Sequence, residues 1–473
     1  MIHATVFKGK CVAVVGLGKS GLAACKALTA GGADVFAWDD DYKSRQTAAE
    51  NNVKIRELKI LSWKMFDALL LSPGIALTHP EPHWSVNLAK SADVEIIGDV
   101  EVFLRQRTLV RPNATLVVVT GTNGKSTTTA LIAHILKVSG HNVQIGGNIG
   151  VPILDLAPLT SKDIYVIELS SYHIDLTPTL NSSIGILLNI SPDHLDRHGS
   201  FDKYIAIKAL VPKSTDYAII GVDDLPTRKI FEIEKGRRSA LIGISSRTLQ
   251  QGIGVSNGII TQYIEKQKLY STNKSRAIAD IKDTVLFRGK HNAQNAVAAT
   301  AACLRLGLSA NQIAMGIHTF IGLPHRLEEI GRVGHIIFIN DSKATNAEST
   351  AHALATFQSN IYWIVGGRPK DNGIELLRVY FPRIAKAYLI GEASDMFAQT
   401  LNGECPISYC QTLNIAVRQA SMDAQHTSDG EAIVLLSPAC ASFDQFRNFE
   451  MRGNTFRDIV STLPGFEIRE RYS

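Results

Sequence analysis

Cysteine is scarce in this sequence, and long apolar runs are absent from it. The 473 residues include six cysteines, no two of which form a CxxC pair, so neither a zinc ribbon nor a redox dithiol is indicated. Scattered cysteines in a long chain are typical of reduced thiols in a cytosolic protein. No apolar stretch approaches the ~18 residues of a membrane span, and Gly16 and Gly18 interrupt the first apolar run too early for a signal peptide. We therefore expect a cytoplasmic protein that does not enter a membrane.

The sequence also has little net charge. It contains 49 Lys and Arg residues against 44 Asp and Glu residues, a formal balance of +5. That excess is too small and too dispersed to indicate a nucleic-acid-binding protein. Hydrophobic residues make up 45% of the chain and charged residues 20%, which argues against a disordered protein. At roughly 150 residues per domain, the length indicates about three domains.

Short apolar runs alternate with helical patterns, as in parallel sheets covered by helices on both faces. A polar stretch at 105–113 and a break at 322–324 separate three series of strands, which predicts α/β domains at 1–105, 106–322 and 323–473. We expect an irregular or β-rich excursion at 223–285. The three series of predicted strands comprise residues 11–15, 34–38 and 68–71, then 116–119, 164–167, 184–189 and 217–220, then 335–339, 361–365, 387–390 and 432–436.

The first glycine-rich loop has the pattern GxGxxG. Gly16, Gly18 and Gly21 follow a predicted strand and begin a helical pattern, and Asp39 ends the next strand. The pattern is expected by chance roughly 0.2 times in this composition, so the letters alone are weak. Their strand–turn–helix setting favours a Rossmann-like turn that accepts a phosphate at a helix N-terminus. The alternative is that the glycines only permit a tight turn, and the identity of the ligand stays open.

The second loop, residues 120–127, reads TGTNGKST and lies between an apolar strand and a helix. Backbone N–H groups and the helix dipole in such a loop cradle phosphates. Lys125 would reach the β- and γ-phosphates and Ser126 would ligate Mg²⁺, although Val119 stands where the full Walker pattern has another glycine. The shortened pattern is expected by chance only about 0.02 times. We therefore predict a central domain of the P-loop ATPase type that binds ATP. The predicted ATP-binding residues of the loop are Gly121, Thr122, Asn123, Gly124, Lys125, Ser126 and Thr127.

This shortened loop resembles that of the Mur ligases and the folylpolyglutamate synthetases, which form amide bonds with ATP. The resemblance continues through 168–172, 189–198, 289–295 and 323–327. Two further segments, NDSKATN at 340–346 and SPACASFDQFRNF at 437–449, resemble the Mur ligase that adds D-glutamate. The resemblance covers all three predicted domains.

The resemblance implies a reaction and its place in the cell. D-glutamate would be joined to UDP-N-acetylmuramoyl-L-alanine through an acyl phosphate, with ATP converted to ADP and phosphate. The step belongs to cytoplasmic peptidoglycan precursor synthesis, a part of cell-wall biogenesis. The first domain would bind the UDP substrate, the central domain ATP and two Mg²⁺ ions, and the third D-glutamate. We expect a monomer with no nucleic-acid partner.

Three residues of the central domain are candidates for the second Mg²⁺ site. Glu168 and His194 each follow a predicted strand at the sheet edge where α/β proteins bind ligands. The residue types alone leave Glu168 open as a ligand and favour a solvated loop position for His194. Lys208, in a helical stretch, reads by itself as a solvated charge. The resemblance instead implies that Glu168 and His194 contact the metal and that CO₂ carbamylates Lys208. The expected metal-site residues are Ser126, Glu168, His194 and Lys208, and the expected catalytic residues are Lys125, Lys208, His194 and Lys343.

Other residues are assigned to ATP by resemblance. Asn292 and Asn295 would line its adenine and triphosphate side, although an asparagine near a helix start is commonly a cap. Arg326 would contact phosphate or ribose, and a surface charge is the equal alternative. Asp341 would bind the ribose, and Lys343 would face charged groups at the reacting centre.

The remaining assignments concern the two other substrates. For D-glutamate they are Thr345, Lys370, Ser442 and Phe449, although in isolation Ser442 is better explained by helix capping and Phe449 by core packing. His173 stands where the family usually has glutamine, which puts the local muramoyl contact in question. The residues assigned to the UDP substrate are Lys19, Ser20, Asp39, Ser72, Pro73, Gly74, Asn148, Ser170 and His173.

Two other functions stay open at this level. An oxidoreductase with nicotinamide at 16–21 would change the nicotinamide absorbance when substrate is added. A non-catalytic nucleotide sensor would bind ATP and release no phosphate with any combination of substrates.

Overall fold

The computed structural model describes residues 1–264, 274–282, 284–369, 373–428 and 430–468. The chain forms two compact units, one built from Met1–Ile281 and Ala293–His318 and the other from Lys282–Asn292 and Thr319–Ser473. Together they contain three sheets, which confirms the predicted α/β class. Among the described helices, none is both long and apolar enough to cross a membrane.

The first sheet is wholly parallel, with the strand order β2-β1-β3-β4. β1 and β3 are apolar and buried, because parallel strands are covered on both faces. The predicted strands 11–15, 34–38 and 68–71 are confirmed. The strands are β1 Cys11–Val15, β2 Asp34–Trp38, β3 Ala68–Leu71 and β4 Glu95–Ile97, and the helices are α1 Lys19–Ala30, α2 Tyr42–Glu50 and α3 Trp84–Ser91.

The second sheet has nine strands in the order β13-β12-β11-β10-β9-β8-β5-β7-β6. Its first seven strands along the chain pair in parallel, and the last two continue the sheet from the seventh in antiparallel pairs. The predicted strand at 184–189 is displaced by two residues, because the buried strand ends at Leu187. The strands are β5 Thr115–Thr120, β6 Val143–Gly147, β7 Ile164–Glu168, β8 Ser182–Leu187, β9 Thr215–Gly221, β10 Leu241–Ile244, β11 Gly252–Ser256, β12 Ile259–Ile264 and β13 Lys274–Asp280.

One expectation for this unit needs correction, and a second is met except at its start. The stretch 105–113 is mostly helix rather than linker, since α4 runs over Asp99–Val110 and packs Phe103 against Tyr165 with ring centroids 5.8 Å apart. The excursion at 223–285 is β-rich as expected, but it begins with the regular helix α10. The other helices are α5 Lys125–Val138, α6 Ser171–Asp175, α7 Leu195–His198, α8 Phe201–Lys208, α9 Leu210–Lys213, α10 Leu225–Lys235, α11 Lys290–Arg305 and α12 Ala310–Thr319.

The third sheet lies in the second unit and has the order β18-β17-β16-β19-β15-β14-β20. Alternate residues of β15 enter different cores: Ile337 and Ile339 join one apolar cluster, and Ile336 and Phe338 join the other. Helices therefore cover both faces, as predicted. The strands are β14 Glu328–Val333, β15 Ile336–Asn340, β16 Ile361–Gly366, β17 Ile384–Ile390, β18 Ile407–Gln411, β19 Ala432–Leu436 and β20 Phe466–Ile468, and the helices are α13 Ala347–Thr356, α14 Ser394–Leu401, α15 Leu413–Ala424 and α16 Phe449–Ser461.

Candidate active site

The TGTNGKST loop connects β5 to α5 at the carboxyl edge of the second sheet. Gly124 has φ +83°, and a Cβ there would lie 2.1 Å from Oδ1 of Asn295. Only glycine combines this conformation with so close an approach. Asn295 is 2% exposed, and its Oδ1 has no hydrogen-bond partner among the described atoms. The structure thus brings Gly124 and Asn295 into contact. These two predicted ATP residues are 171 positions apart in the chain.

Side chains from two other segments hold the loop. The backbone N–H of Asn123 donates to Asn189 Oδ1 at 2.8 Å, and Asn189 Nδ2 donates to Gln294 Oε1 at 3.1 Å. Gln294 Nε2 donates in turn to Asp223 Oδ2 at 3.2 Å. Asn189, Gln294 and Asp223 were not predicted as site residues. Asn189 and Gln294 fall within segments that carry the family resemblance, which was the available signal.

Lys125 begins α5 and lies over the loop. Its Nζ donates to the carbonyl oxygens of Gly121 at 2.9 Å and Thr122 at 2.6 Å. Ser126 is buried in the first turn of the same helix. A cation and the N–H groups of a helix N-terminus therefore lie at one place, as phosphate binding requires.

Lys208 is buried at the end of α8, with only 1% of its surface exposed. Its Nζ donates to Oγ1 of Thr120 at 3.2 Å. Burial and then the charge of Lys125 lower the pKa of Lys208 well below its ordinary value, while Asp193 and Glu168 oppose the shift. The reading of Lys208 as a solvated surface charge is thus wrong.

Glu168 ends β7 and is 1% exposed. Its Oε1 accepts a hydrogen bond from Asn148 Nδ2 at 2.8 Å, while Oε2 has no partner among the described atoms. A buried carboxylate oxygen without a donor is costly unless a cation is bound. Within the described part of the chain, no three His, Cys, Asp or Glu side chains converge in a metal cage. This sparse oxygen set fits Mg²⁺, which usually keeps water and phosphate among its ligands.

His194 lies more openly than the other proposed metal residues. It precedes α7 with φ 53°, its side chain is 45% exposed, and its Nε2 lies 3.4 Å from Asp193 Oδ2. Its ring centroid is 5.0 Å from that of Tyr172. No described hydrogen bond or ion pair joins it to Glu168 or Lys208, so the structure does not bring these three predicted residues into direct contact.

The first glycine loop is tied to two of its predicted neighbours. Gly16 has φ +91°, and Ser72 Oγ donates to its carbonyl at 2.6 Å. The N–H of Leu17 donates to Asp39 Oδ2 at 2.6 Å. Asp39 is therefore held by the backbone of the loop that it was predicted to accompany. Of the other predicted UDP-substrate residues, Lys19 is exposed and Ser20 half-buried in the first turn of α1, and Pro73 and Gly74 form the turn after Ser72.

His173 occupies a buried position in α6. Its Nδ1 lies 2.7 Å from Oγ of Ser170, and burial lowers the pKa of the imidazole while Asp99 and Glu168 oppose the shift. The backbone N–H of Asn148 donates to the carbonyl of Glu168 at 3.0 Å. Of the predicted substrate residues, Ser170 and His173 thus follow Glu168 in the chain, and Asn148, which follows β6, is hydrogen-bonded to it.

In the second unit, Asp341 is enclosed where β15 ends. Its Oδ2 accepts from Ser437 Oγ at 2.7 Å and its Oδ1 from the N–H of Leu327 at 3.2 Å. Burial raises the pKa of Asp341 to about 7, although Ser437, Leu327 and the charge of Arg326 oppose the shift. The structure therefore brings the predicted residues Arg326 and Asp341 into electrostatic contact.

Arg452 organises the predicted D-glutamate region, and sequence reasoning missed it. This arginine is 1% exposed, and burial lowers its pKa to about 10. It donates to Ser342 O at 2.9 Å, to Ser342 Oγ at 3.0 Å and to Cys440 O at 3.0 Å. It thereby joins the segments 340–346 and 437–449, the two that carried the more specific resemblance.

The side chains predicted to contact D-glutamate lie around that framework. Lys343 is exposed, and its Nζ lies 4.3 Å from the ring centroid of Phe449. Ser442 is buried and Thr345 half-buried. Lys370 falls outside the described residues. Asn292, assigned to ATP, lies in this unit and donates from Nδ2 to Arg288 O at 3.2 Å.

Three family descriptions match consecutive parts of the chain. "Mur ligase MurD-like, N-terminal domain" matches residues 10–98, "Mur ligase middle domain" residues 119–303, and "Mur ligase, glutamate ligase domain" residues 325–440. The first match contains the GxGxxG loop, and the second contains the TGTNGKST loop with Glu168 and Lys208.

The chain is similar over nearly its whole length to two UDP-N-acetylmuramoylalanine–D-glutamate ligases. It is 50% identical to that of Chelativorans sp. (strain BNC1) over 472 residues, which cover 99% of each chain. It is 50% identical to that of Brucella abortus (strain 2308) over 466 residues, which cover 98% of each.

Solved structures share the fold. A UDP-N-acetylmuramate-alanine ligase, MurC, from Thermotoga maritima superposes with a TM-score of 0.54 at 16% identity and covers 95% of this chain and 98% of its own. A MurF from Acinetobacter baumannii superposes with a TM-score of 0.55 at 17% identity, over 79% of this chain and 88% of its own. A MurF ligase from Thermotoga maritima, solved in complex with ADP, has a TM-score of 0.52 at 15% identity, over 83% and 89%.

Proposed function

The chain belongs to the Mur ligase family, and we propose that it joins D-glutamate to UDP-N-acetylmuramoyl-L-alanine with ATP. The observation that carries this proposal is the 50% identity, over 99% of both chains, to a ligase of that name. The geometry supports it, because the first unit holds a phosphate loop beside buried carboxylate and lysine side chains. The step would belong to peptidoglycan precursor synthesis in the cytoplasm, and the protein would act as a monomer.

A carboxylate must be activated before it forms an amide in water. In the proposed reaction the substrate carboxylate attacks the γ-phosphorus of ATP, the bond to the β-phosphate oxygen breaks, and ADP leaves. The amine of D-glutamate then attacks the acyl carbon, loses a proton and expels phosphate. Charge accumulates on phosphoryl oxygens in the first step, so positioning and cations supply most of the catalysis.

Residues of the TGTNGKST loop have separate parts in this reaction. The N–H groups at the start of α5 would bind phosphate oxygens, and Lys125 would neutralise charge on the β- and γ-phosphates. Asn295, whose Oδ1 reaches the loop at Gly124, would contact the nucleotide. By resemblance, Asn292, Arg326 and Asp341 would contact the adenosine and phosphate groups.

Two Mg²⁺ ions are part of the proposal. Ser126 would hold one, and Glu168, His194 and carbamylated Lys208 would support the other. The ions supply charge neutralisation at the phosphates. The orphaned Oε2 of Glu168 fits this role, and so does the burial of Lys208, because a buried amine is easily held neutral and can then react with CO₂.

With domains at 1–105, 106–322 and 323–473, the UDP end is assigned to the first domain, the muramoyl end to the central one and D-glutamate to the third. The UDP end would bind at Lys19, Ser20, Asp39 and the turn 72–74, and the muramoyl end near Asn148 and Ser170. D-glutamate carries two carboxylates and would need the cations Lys343 and Lys370. Thr345, Ser442 and Phe449 would complete that site.

Phosphate release tests the proposal. The purified protein with ATP, Mg²⁺ and UDP-N-acetylmuramoyl-L-alanine should release phosphate rapidly only when D-glutamate is added. L-glutamate is the matched control, since it differs only in the configuration at one carbon. Omission of the UDP substrate should also abolish release. Equal release with both isomers, or none with D-glutamate, would refute the proposed function.

A further inference from the structure

Arg197 lies on the one-turn helix α7, three residues after His194. Its guanidinium donates to the carbonyl of Pro73 at 3.2 Å and to the carbonyl of Ile75. Both acceptors belong to the turn 72–75 that follows β3 of the first sheet, more than 120 positions away in the chain. Both hydrogen bonds are donated by Nη2, so one nitrogen of the guanidinium holds two carbonyls of the turn.

Two further contacts align the same pair of segments. Gly199 has φ +78°, and a Cβ there would lie 2.3 Å from Nε2 of His79. Lys203 Nζ lies 3.4 Å from Oγ1 of Thr78. The segment 197–203 therefore lies along the segment 73–79, and Arg197 contributes two of the hydrogen bonds between them.

Each segment is connected to a different part of the proposed site. On one side, Ser72 Oγ bonds the carbonyl of Gly16 at 2.6 Å, so the turn is joined to the GxGxxG loop. On the other side, the N–H groups of Arg197 and His198 each donate to the carbonyl of His194 at 3.1 Å. Nε2 of His198 lies 2.8 Å from Oγ of Ser171, which follows the predicted substrate residue Ser170. A continuous set of bonds thus leads from Gly16 to His194.

We propose that Arg197 is a positioning residue that couples occupation of the UDP-substrate site to the placement of His194. The inference rests on the proposed function, since it takes the first glycine loop as the site of the UDP end. A substrate that holds the GxGxxG loop and the turn 72–75 in one position holds α7 through the Arg197 guanidinium. Lysine keeps the charge at 197, but its side chain is one bond shorter, so its Nζ falls short of the position of Nη2, the nitrogen that donates to both carbonyls.

Hydrogen exchange tests the coupling directly. Wild-type protein and the variants Arg197→Lys and Arg238→Lys are compared with and without saturating UDP-N-acetylmuramoyl-L-alanine, with Mg²⁺ and a non-hydrolysable ATP analogue in both arms. Arg238 is the matched control, because it also donates to two backbone carbonyls, those of Thr215 at 2.8 Å and Lys213 at 2.9 Å. In the wild type and the control, the ligand should slow exchange at both 16–24 and 194–203. In Arg197→Lys, we expect protection at 16–24 and about a tenfold smaller protection at 194–203, within the usual range of coupling between sites.

The kinetic form of the same test separates positioning from folding. Arg197→Lys should lower kcat about tenfold and leave the KM for D-glutamate within about twofold, with thermal stability close to that of Arg238→Lys. Full protection of 194–203 in Arg197→Lys would overturn the inference, and so would wild-type protection at 16–24 without protection at 194–203. If the substrate protects neither segment in the wild type, the proposed function itself fails.

Discussion

The ATP loop of the first unit and the predicted D-glutamate region of the second are constructed differently. Around the loop, the functional side chains are themselves buried: Asn295, Glu168 and Lys208 are each at most 2% exposed. In the D-glutamate region, the framework arginine Arg452 and the predicted contact Ser442 are buried, while the cation Lys343 is exposed. Substitutions near the loop should therefore disturb catalysis as a whole, whereas substitutions of the exposed cations should affect one substrate.

The largest effect is expected at Lys208. Lys208→Ala should lower kcat on the order of a thousandfold, the scale seen when an electrostatic group is removed from a reacting centre. Millimolar acetate should restore part of the activity, because a small carboxylate can take the place of the carbamate. Lys213→Ala, at the end of the adjacent helix α9, is the control and should stay active. Full activity of Lys208→Ala without acetate would contradict the account.

Gly124 is expected to show the next largest effect. Gly124→Ala forces a Cβ into the space of Asn295 Oδ1, so ATP affinity measured by calorimetry should fall about a hundredfold. Gly140→Ala is a matched control, because Gly140 has a similar φ of +87° with nothing within 4 Å of an added Cβ. The control should lose about 1 kcal/mol of stability through backbone strain and keep its ATP affinity. Equal losses of affinity in the two variants would show that the contact with Asn295 is unimportant.

A selective effect is expected in the second unit. Lys370→Ala should raise the KM for D-glutamate about tenfold and change the KM for ATP much less, because it removes the cation proposed to pair with a carboxylate of D-glutamate. Lys386→Ala removes a lysine of the same unit that pairs with Asp423 at 2.8 Å, and it should leave both constants nearly unchanged. A parallel rise of the two KM values in Lys370→Ala would argue against its assignment to D-glutamate.

The smallest effect concerns the pH dependence of stability. The pKa of Asp341 rises from 3.8 to about 7 on folding, so the folded state binds the proton more tightly than the unfolded state. The contribution of Asp341 to the free energy of unfolding is therefore fully present at low pH and is lost as the pH rises from about 4 through 7. Asp341→Asn should flatten the dependence of Tm on pH across that window. An unchanged slope in Asp341→Asn would contradict the assigned shift.

Much of the fold could be predicted because buried parallel strands are continuous apolar runs. β1 and β19 agree with prediction to the residue. The second half of helix α4 was predicted as linker at 105–113, because its charged side chains have partners only in the folded structure. Arg105 pairs there with Glu95 and Glu101, each at 2.7 Å, so a buried helix has the composition of an exposed segment. Composition alone does not distinguish a paired charge from a solvated one.

The same distinction applies to the site. Lys125 could be proposed from its contiguous motif, whereas Glu168 needed the family resemblance because the residue types alone left it open as a ligand. Arg452 and Arg197 could not be proposed, because their partners lie far away in the chain, 110 positions in the case of Ser342. Each looks like a surface arginine until the fold supplies the carbonyls that it bonds.

Product analysis tests the central claim most directly. The protein is incubated with ATP, Mg²⁺ and UDP-N-acetylmuramoyl-L-alanine in the presence of D-glutamate or L-glutamate, and the nucleotide-sugar products are identified by mass spectrometry. The account predicts a product heavier by one glutamate residue with D-glutamate, formed in equal amount with ADP and phosphate, and none with L-glutamate. Formation of ADP without that product, or equal product from both isomers, would contradict it.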